Sequence, residues 1–103
     1  MVEAVRHFGG RAPGHRARHT LHDIASMPLI LPTRVHALRR IIDEAIAPLG
    51  IELDIVAEME SLNSVKRAVE DGIGCTILPL GAVAEEVAAQ RLAASRIASP
   101  HMS

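Results

Sequence analysis

Two kinds of apolar pattern alternate along this chain and set the elements it is expected to form. "PLILP" (28–32) is a short unbroken apolar run closed by Pro32, the pattern of a strand buried on both faces. From 34 to 49 the spacing turns helical, with Val35, Leu38, Ile42, Ala45, Ile46 and Leu49 on one stripe and Ile41 at its margin. Arg39–Asp43 and Arg40–Glu44 fall four apart on the opposite, solvated side, and Gly50 stands where a helix stop belongs. "IELDIVAE" (51–58) alternates, placing Leu53, Ile55 and Ala57 on one face of a strand. Ser61 then caps a second helix with Leu62, Val65, Ala68 and Val69 facing inward, and Gly72 ends it. "CTILP" (75–79) is another short buried strand. A third helix spans 82–90 with Glu85 and Glu86 outside, and "LAASRI" (92–97) closes the series as a strand.

Upstream the pattern is poorer. Residues 5–8 read as a short strand, and "GGRAPGHRARHT" (9–20) reads as a loop because its glycines, proline and basic side chains carry no apolar period. Thr20 is an N-cap for one helical turn over 21–25. From Pro28 onward strands and helices alternate, which predicts an α/β fold with a parallel-rich sheet and flanking helices. Ligands of such sheets bind beyond the carboxyl ends of the strands, where helix N-termini point. Pro32-Thr33-Arg34, Glu58 to Ser61, and Leu78 to Gly81 all fall at that edge.

Composition narrows this picture more than it extends it. At 103 residues, 49% of them apolar and 22% charged, the chain is globular and fits one domain or part of one. Phe8 is the only aromatic residue, which argues against base-stacking nucleic-acid surfaces. A net charge of −1 gives no global signal for nucleic acid or membrane. Cys75 is the single cysteine, so no internal disulfide is expected and a reducing, cytoplasmic setting is the simple reading. No apolar run approaches the length of a membrane span, and the first ten residues hold no signal-peptide core.

The candidate chemistry gathers at Thr33, Arg34 and His36. A helix N-terminus favours an anion, Thr33 offers a hydroxyl, and Arg34 can meet a carboxylate through two parallel hydrogen bonds. The plainer alternative is that Thr33 caps its own helix and the two basic side chains are solvated. A cation in a first helical turn is also mildly unfavourable, so Arg34 needs compensation there. The Gly-x-Gly of "DGIGC" (71–75) closes a helix and opens a strand, the reverse of a dinucleotide fingerprint. Gly72 then reads as a helix stop and Gly74 as a tight entry into the sheet. His15, His19 and His22 lie in a segment without helical period, read as a solvated basic loop rather than a metal site. Cys75 opens a buried strand and reads as an inert core thiol; Glu58 and Glu60 have no identifiable catalytic partner. No nucleophile, base and orienting group assemble, so no enzyme and no cofactor are expected.

Two longer stretches carry a family likeness. "LHDIASMPLILPTRVHALRRIIDEA", followed by "IVAEMESLNSVKRAVEDGIGCTILPLGAVAEEVAAQRLAASRI" with its GxGxxxLP turn and strand, resembles the effector-binding domain of LysR-type transcriptional regulators. The likeness covers roughly residues 5–99. It implies one lobe of a fold like the type 2 periplasmic binding proteins, in which two α/β lobes joined by crossover strands hold an effector in the cleft. This chain resembles the second lobe, with 5–8 and 92–97 matching the crossovers. Most of the first lobe and the winged helix-turn-helix that binds DNA have no counterpart in it. By position, the resemblance implies effector contacts at Thr33, Arg34 and His36, with Ser61 a second contact and the Leu78-Pro79 edge a weaker one.

The expected organisation is a crossover strand and basic loop over 1–22, the effector-binding second lobe over 23–99, and a tail over 100–103. The expected function is the small-molecule-sensing portion of a LysR-type regulator. Its effector would be a carboxylate, it would form a homo-oligomer, and it would reach DNA only through a helix-turn-helix domain. The alternative is an independent small α/β protein that self-associates through the exposed lobe surface and has no effector role.

Overall fold

The computed structural model describes residues 1–6 and 18–97. The stretch 7–17 lies outside the described residues, and so does the tail at 98–103. The readings of the basic loop over 9–17, of His15 and of the end of the first strand therefore fall outside them, whereas Arg18 and His19, read as the end of that loop, form a short strand instead.

Among the described residues, six strands and four α-helices follow in the order β1 (Val2–Arg6), β2 (Arg18–His19), α1 (Leu21–Ala25), β3 (Leu29–Pro32), α2 (Ala37–Ile46), β4 (Ile55–Met59), α3 (Leu62–Glu70), β5 (Thr76–Leu78), α4 (Leu80–Ala88) and β6 (Leu92–Ile97). The strands form a four-stranded sheet, β2-β6-β1-β5, and a two-stranded parallel sheet, β3-β4. A short parallel bridge between Leu29 and Cys75 joins them. It is carried by Cys75 N–H to Pro28 O at 2.9 Å and Ile30 N–H to Cys75 O at 2.8 Å. The parallel-rich sheet with flanking helices is therefore present. The first strand is the exception, since β1 runs antiparallel to both β5 and β6 and lies between them.

The core is aliphatic. Leu29, Ile30 and Leu31 on β3, Ile42 on α2, Val65 and Val69 on α3, and Ile77 and Leu78 on β5 are all fully buried. Each such side chain contributes roughly 1.5–3 kcal/mol relative to exposure. Gly74 is needed for the close approach of β3 and β5: a Cβ there would lie 2.6 Å from Pro28 O. Gly72 takes a positive φ of 80° just past α3, as a helix stop requires. The local caps follow the sequence closely. Thr20 accepts from Asp23 N–H while Asp23 accepts from Thr20 N–H, and Ser61 accepts from Ser64 N–H.

Three expectations are corrected. The second helix starts at Ala37 and passes into a 3-10 turn at Ala47–Leu49, so Val35 and Leu49 leave the buried stripe. Val35 is 84% exposed. Thr33 does not cap the helix, and Arg34 is not in its first turn. The four residues Thr33 to His36 instead form a turn in which His36 N–H donates to Thr33 O at 3.0 Å. Finally, Arg39 and Glu86, expected in solvent, are both buried. Glu86 faces α3 and forms an ion pair with Lys66 Nζ at 2.8 Å. That hydrogen bond outweighs desolvation and holds the Glu86 carboxyl below its ordinary range.

Candidate functional site

β3, β4 and β5 run parallel, so their carboxyl ends share one edge of the sheet. Thr33 follows β3 there, Ser61 follows β4 after Glu60, and Pro79 follows β5. The first two are tied together directly, since Thr33 N–H donates to Met59 O at 3.1 Å. The expected convergence of strand ends is thus a consequence of the parallel register.

Within that edge the four candidate residues do different things. Thr33 is half-buried and begins the turn, and its hydroxyl is released from capping because His36 takes that role. His36 accepts from Leu38 N–H through Nδ1 at 3.2 Å. With Nδ1 accepting that bond, Nε2 is the ring nitrogen left to donate to a ligand. Arg34 is exposed and lines a 360 Å³ hollow together with Arg39, Glu58 and the strand residues Ile55, Val56 and Ala57. Ser61 lines a different groove, of 640 Å³, which follows α3 past Ser64 and Arg67 to Asp71 and Ile73. The Ser61 hydroxyl is already committed locally, accepting from Ser64 N–H at 3.1 Å and donating to Ser64 Oγ at 3.0 Å. Thr33, Arg34 and His36 therefore share one short turn, while Ser61 stands on the neighbouring strand end facing its own groove.

The residue that the sequence reading missed is Arg39. Only 2% of its side chain is exposed. Nε donates to Asp43 Oδ1 at 3.1 Å, and Nη1 donates both to Pro32 O at 3.1 Å and to the Glu58 carboxylate. Burial disfavours the guanidinium charge, but the bonds to Glu58 and Asp43 outweigh it and raise the pKa above the ordinary arginine value. The available signal was its place beside Leu38 and one turn before Ile42, at the margin of the buried stripe. Glu58, which had no identifiable catalytic partner, is its partner on β4. Cys75 is buried as expected, with its thiol 3.5 Å from Pro28 O and 3.8 Å from Met27 Sδ. Among the described residues, no group of three or more His, Cys, Asp or Glu side chains stands close enough to hold a metal ion. None of the described helices is long and apolar enough to cross a membrane.

This lobe geometry agrees with what the chain is similar to. The family described as the LysR substrate binding domain matches residues 11–103. The chain belongs to that family. The HTH-type transcriptional regulator BbuR of Bordetella bronchiseptica is 36% identical over 78 residues, which are 76% of this chain and 24% of that protein. The nitrogen assimilation regulatory protein nac of Escherichia coli is 34% identical over 80 residues, 78% of this chain and 26% of that protein. The chain thus spans about a quarter of the length of the curated relatives it matches.

Among solved structures, the effector binding domain of QuiR in complex with shikimate gives a TM-score of 0.77 at 21% identity, covering 96% of this chain and 45% of that one. CbnR, a LysR family transcriptional regulator, gives 0.75 at 20% identity over 96% of this chain and 34% of its own. These likenesses establish the fold, one lobe of a periplasmic-binding-protein-like effector domain.

Proposed function

We propose that this chain is the second-lobe portion of a LysR-type regulator and senses a small carboxylate. In this reading Arg34 pairs with the carboxylate, the Thr33 hydroxyl and His36 Nε2–H bind its oxygens, and Ser61 bounds the site from the end of β4. The observation that carries it is the bond from Thr33 N–H to Met59 O, which sets the polar turn against the neighbouring strand end. Family membership supports the same edge. That the matched relatives are regulators supports a binding role rather than a catalytic one. DNA contact would be made by a helix-turn-helix domain of the regulator, in the cytoplasm.

Calorimetry with shikimate and a panel of simple carboxylates tests the reading. One lobe offers one wall, so binding should be weak, on the order of 0.1–1 mM. Thr33→Ala should lower the affinity at least about tenfold, the worth of a hydrogen bond to a charged group. A carboxylate that binds equally well to Thr33→Ala and Arg34→Ala variants would sink the assignment.

A second reading has a specific observation in its favour. Val35 and Leu80 are exposed at this same edge, and Val56 is half exposed on β4. We propose that such apolar surface supports a homo-oligomer, with or without an effector. Sedimentation that shows a monomer at all concentrations would remove self-association, and a silent carboxylate panel with a stable dimer would leave self-association as the sole role.

A further inference from the structure

The geometry assigns Arg39 as the positioning residue of the Thr33–His36 turn, an inference that rests on the turn being the ligand-facing corner proposed above. The turn has few fixed points of its own. Thr33 N–H holds β4 and His36 N–H closes back on Thr33 O. Between the last residue of β3 and the first turns of α2, the cross-link is Arg39 Nη1 to Pro32 O. The same nitrogen reaches Glu58 on β4, while Nε is held by Asp43 one turn further along α2. One rigid guanidinium therefore ties together the three elements that frame the corner, α2, β3 and β4.

The chemistry explains why arginine fills this place. A charged group this deeply buried persists only when its donors are satisfied and its charge is balanced. Pro32 O, Glu58 and Asp43 take the donors on Nε and Nη1 and balance the charge, and the planar fork supplies diverging donors that a lysine ammonium lacks. The two carboxylates also neutralise Arg39, so its charge is not on offer to a ligand. Arg34, exposed in the same hollow, is left as the cation that faces outward. Arg39 thus sets where Thr33 and Arg34 stand without touching what they bind.

Amide hydrogen exchange on the whole chain, read residue by residue by NMR, separates local positioning from general stability. In Arg39→Met the amides of Thr33 and Leu38 should exchange at least about tenfold faster, while the β1–β6 ladder amides stay within about twofold. Should that variant fail to fold, Arg39→Lys and Glu58→Ala decide the matter. Each should accelerate Thr33 by about threefold or more and leave β1–β6 unchanged. Equal acceleration in both regions, or none at Thr33, overturns the assignment. Because no ligand enters this experiment, a silent carboxylate panel would remove the effector reading and leave the exchange pattern to stand or fall by itself.

Discussion

β3 and β4 are hydrogen-bonded neighbours, yet they live in different environments. All four residues of β3 are buried, whereas the five of β4 alternate between half-buried and exposed. β3 lies between β4 and the bridge to β5, with α3 packed on it, while β4 has β3 as its only strand partner among the described residues. The candidate corner is built where these two strands end side by side. A site placed there inherits a rigid wall from β3 and an accessible one from β4. The buried guanidinium of Arg39 bonds to both, to Pro32 O on β3 and to Glu58 on β4.

The largest test of this contrast is a cavity in β3. Leu31→Ala should cost about 2–5 kcal/mol in urea unfolding, the range for truncating a fully buried leucine. A loss below about 1 kcal/mol would mean that β3 is not the rigid wall described.

A smaller effect comes from the clamp that holds α4 to α3, the helix lying over β3. The Glu86 carboxyl is held below its unfolded value of 4.5, chiefly by its hydrogen bond with Lys66. The sign follows from linkage: the stabilisation is complete above about pH 4.5 and is lost as pH falls through the lower folded value. Glu86→Gln should remove that part of the acid dependence, at a cost of about 1–2 kcal/mol at neutral pH. An unchanged slope of stability against pH in the variant would count against the clamp.

The smallest effect is expected on β4. Val56→Ala on the half-exposed edge should stay within about 0.5–1 kcal/mol. Parity between Val56→Ala and Leu31→Ala would erase the difference between the two strands.

How far the sequence could be read follows the same division. The continuous run of β3, the alternation around β4, and the caps at Thr20 and Ser61 were legible because each depends on residues close in sequence. The family resemblance likewise rested on the order of such local patterns. The second helix was misjudged at its start because period alone extends a stripe to Val35, while the competing turn closed by His36 N–H and Thr33 O ends it early. The reversed direction of β1 was not legible, since pattern does not state which strands become neighbours. Arg39 was missed for a related reason. Helical spacing pairs it with Asp43, but its partners Pro32 O and Glu58 come from other elements.

By itself, then, the sequence determined the order of strands and helices from Leu29 onward, where glycine must stand, and that Thr33, Arg34 and His36 lie at the carboxyl edge of a mostly parallel sheet. Those properties come from side-chain period, backbone freedom and local capping. Only the tertiary structure decided that β1 inserts antiparallel between β5 and β6, that Glu86 turns inward to Lys66, and that Thr33, Arg34 and His36 share a turn held by Arg39. The physical reason is that burying a charge is tolerable only where partners from distant segments arrive together, and distance along the chain does not announce that meeting.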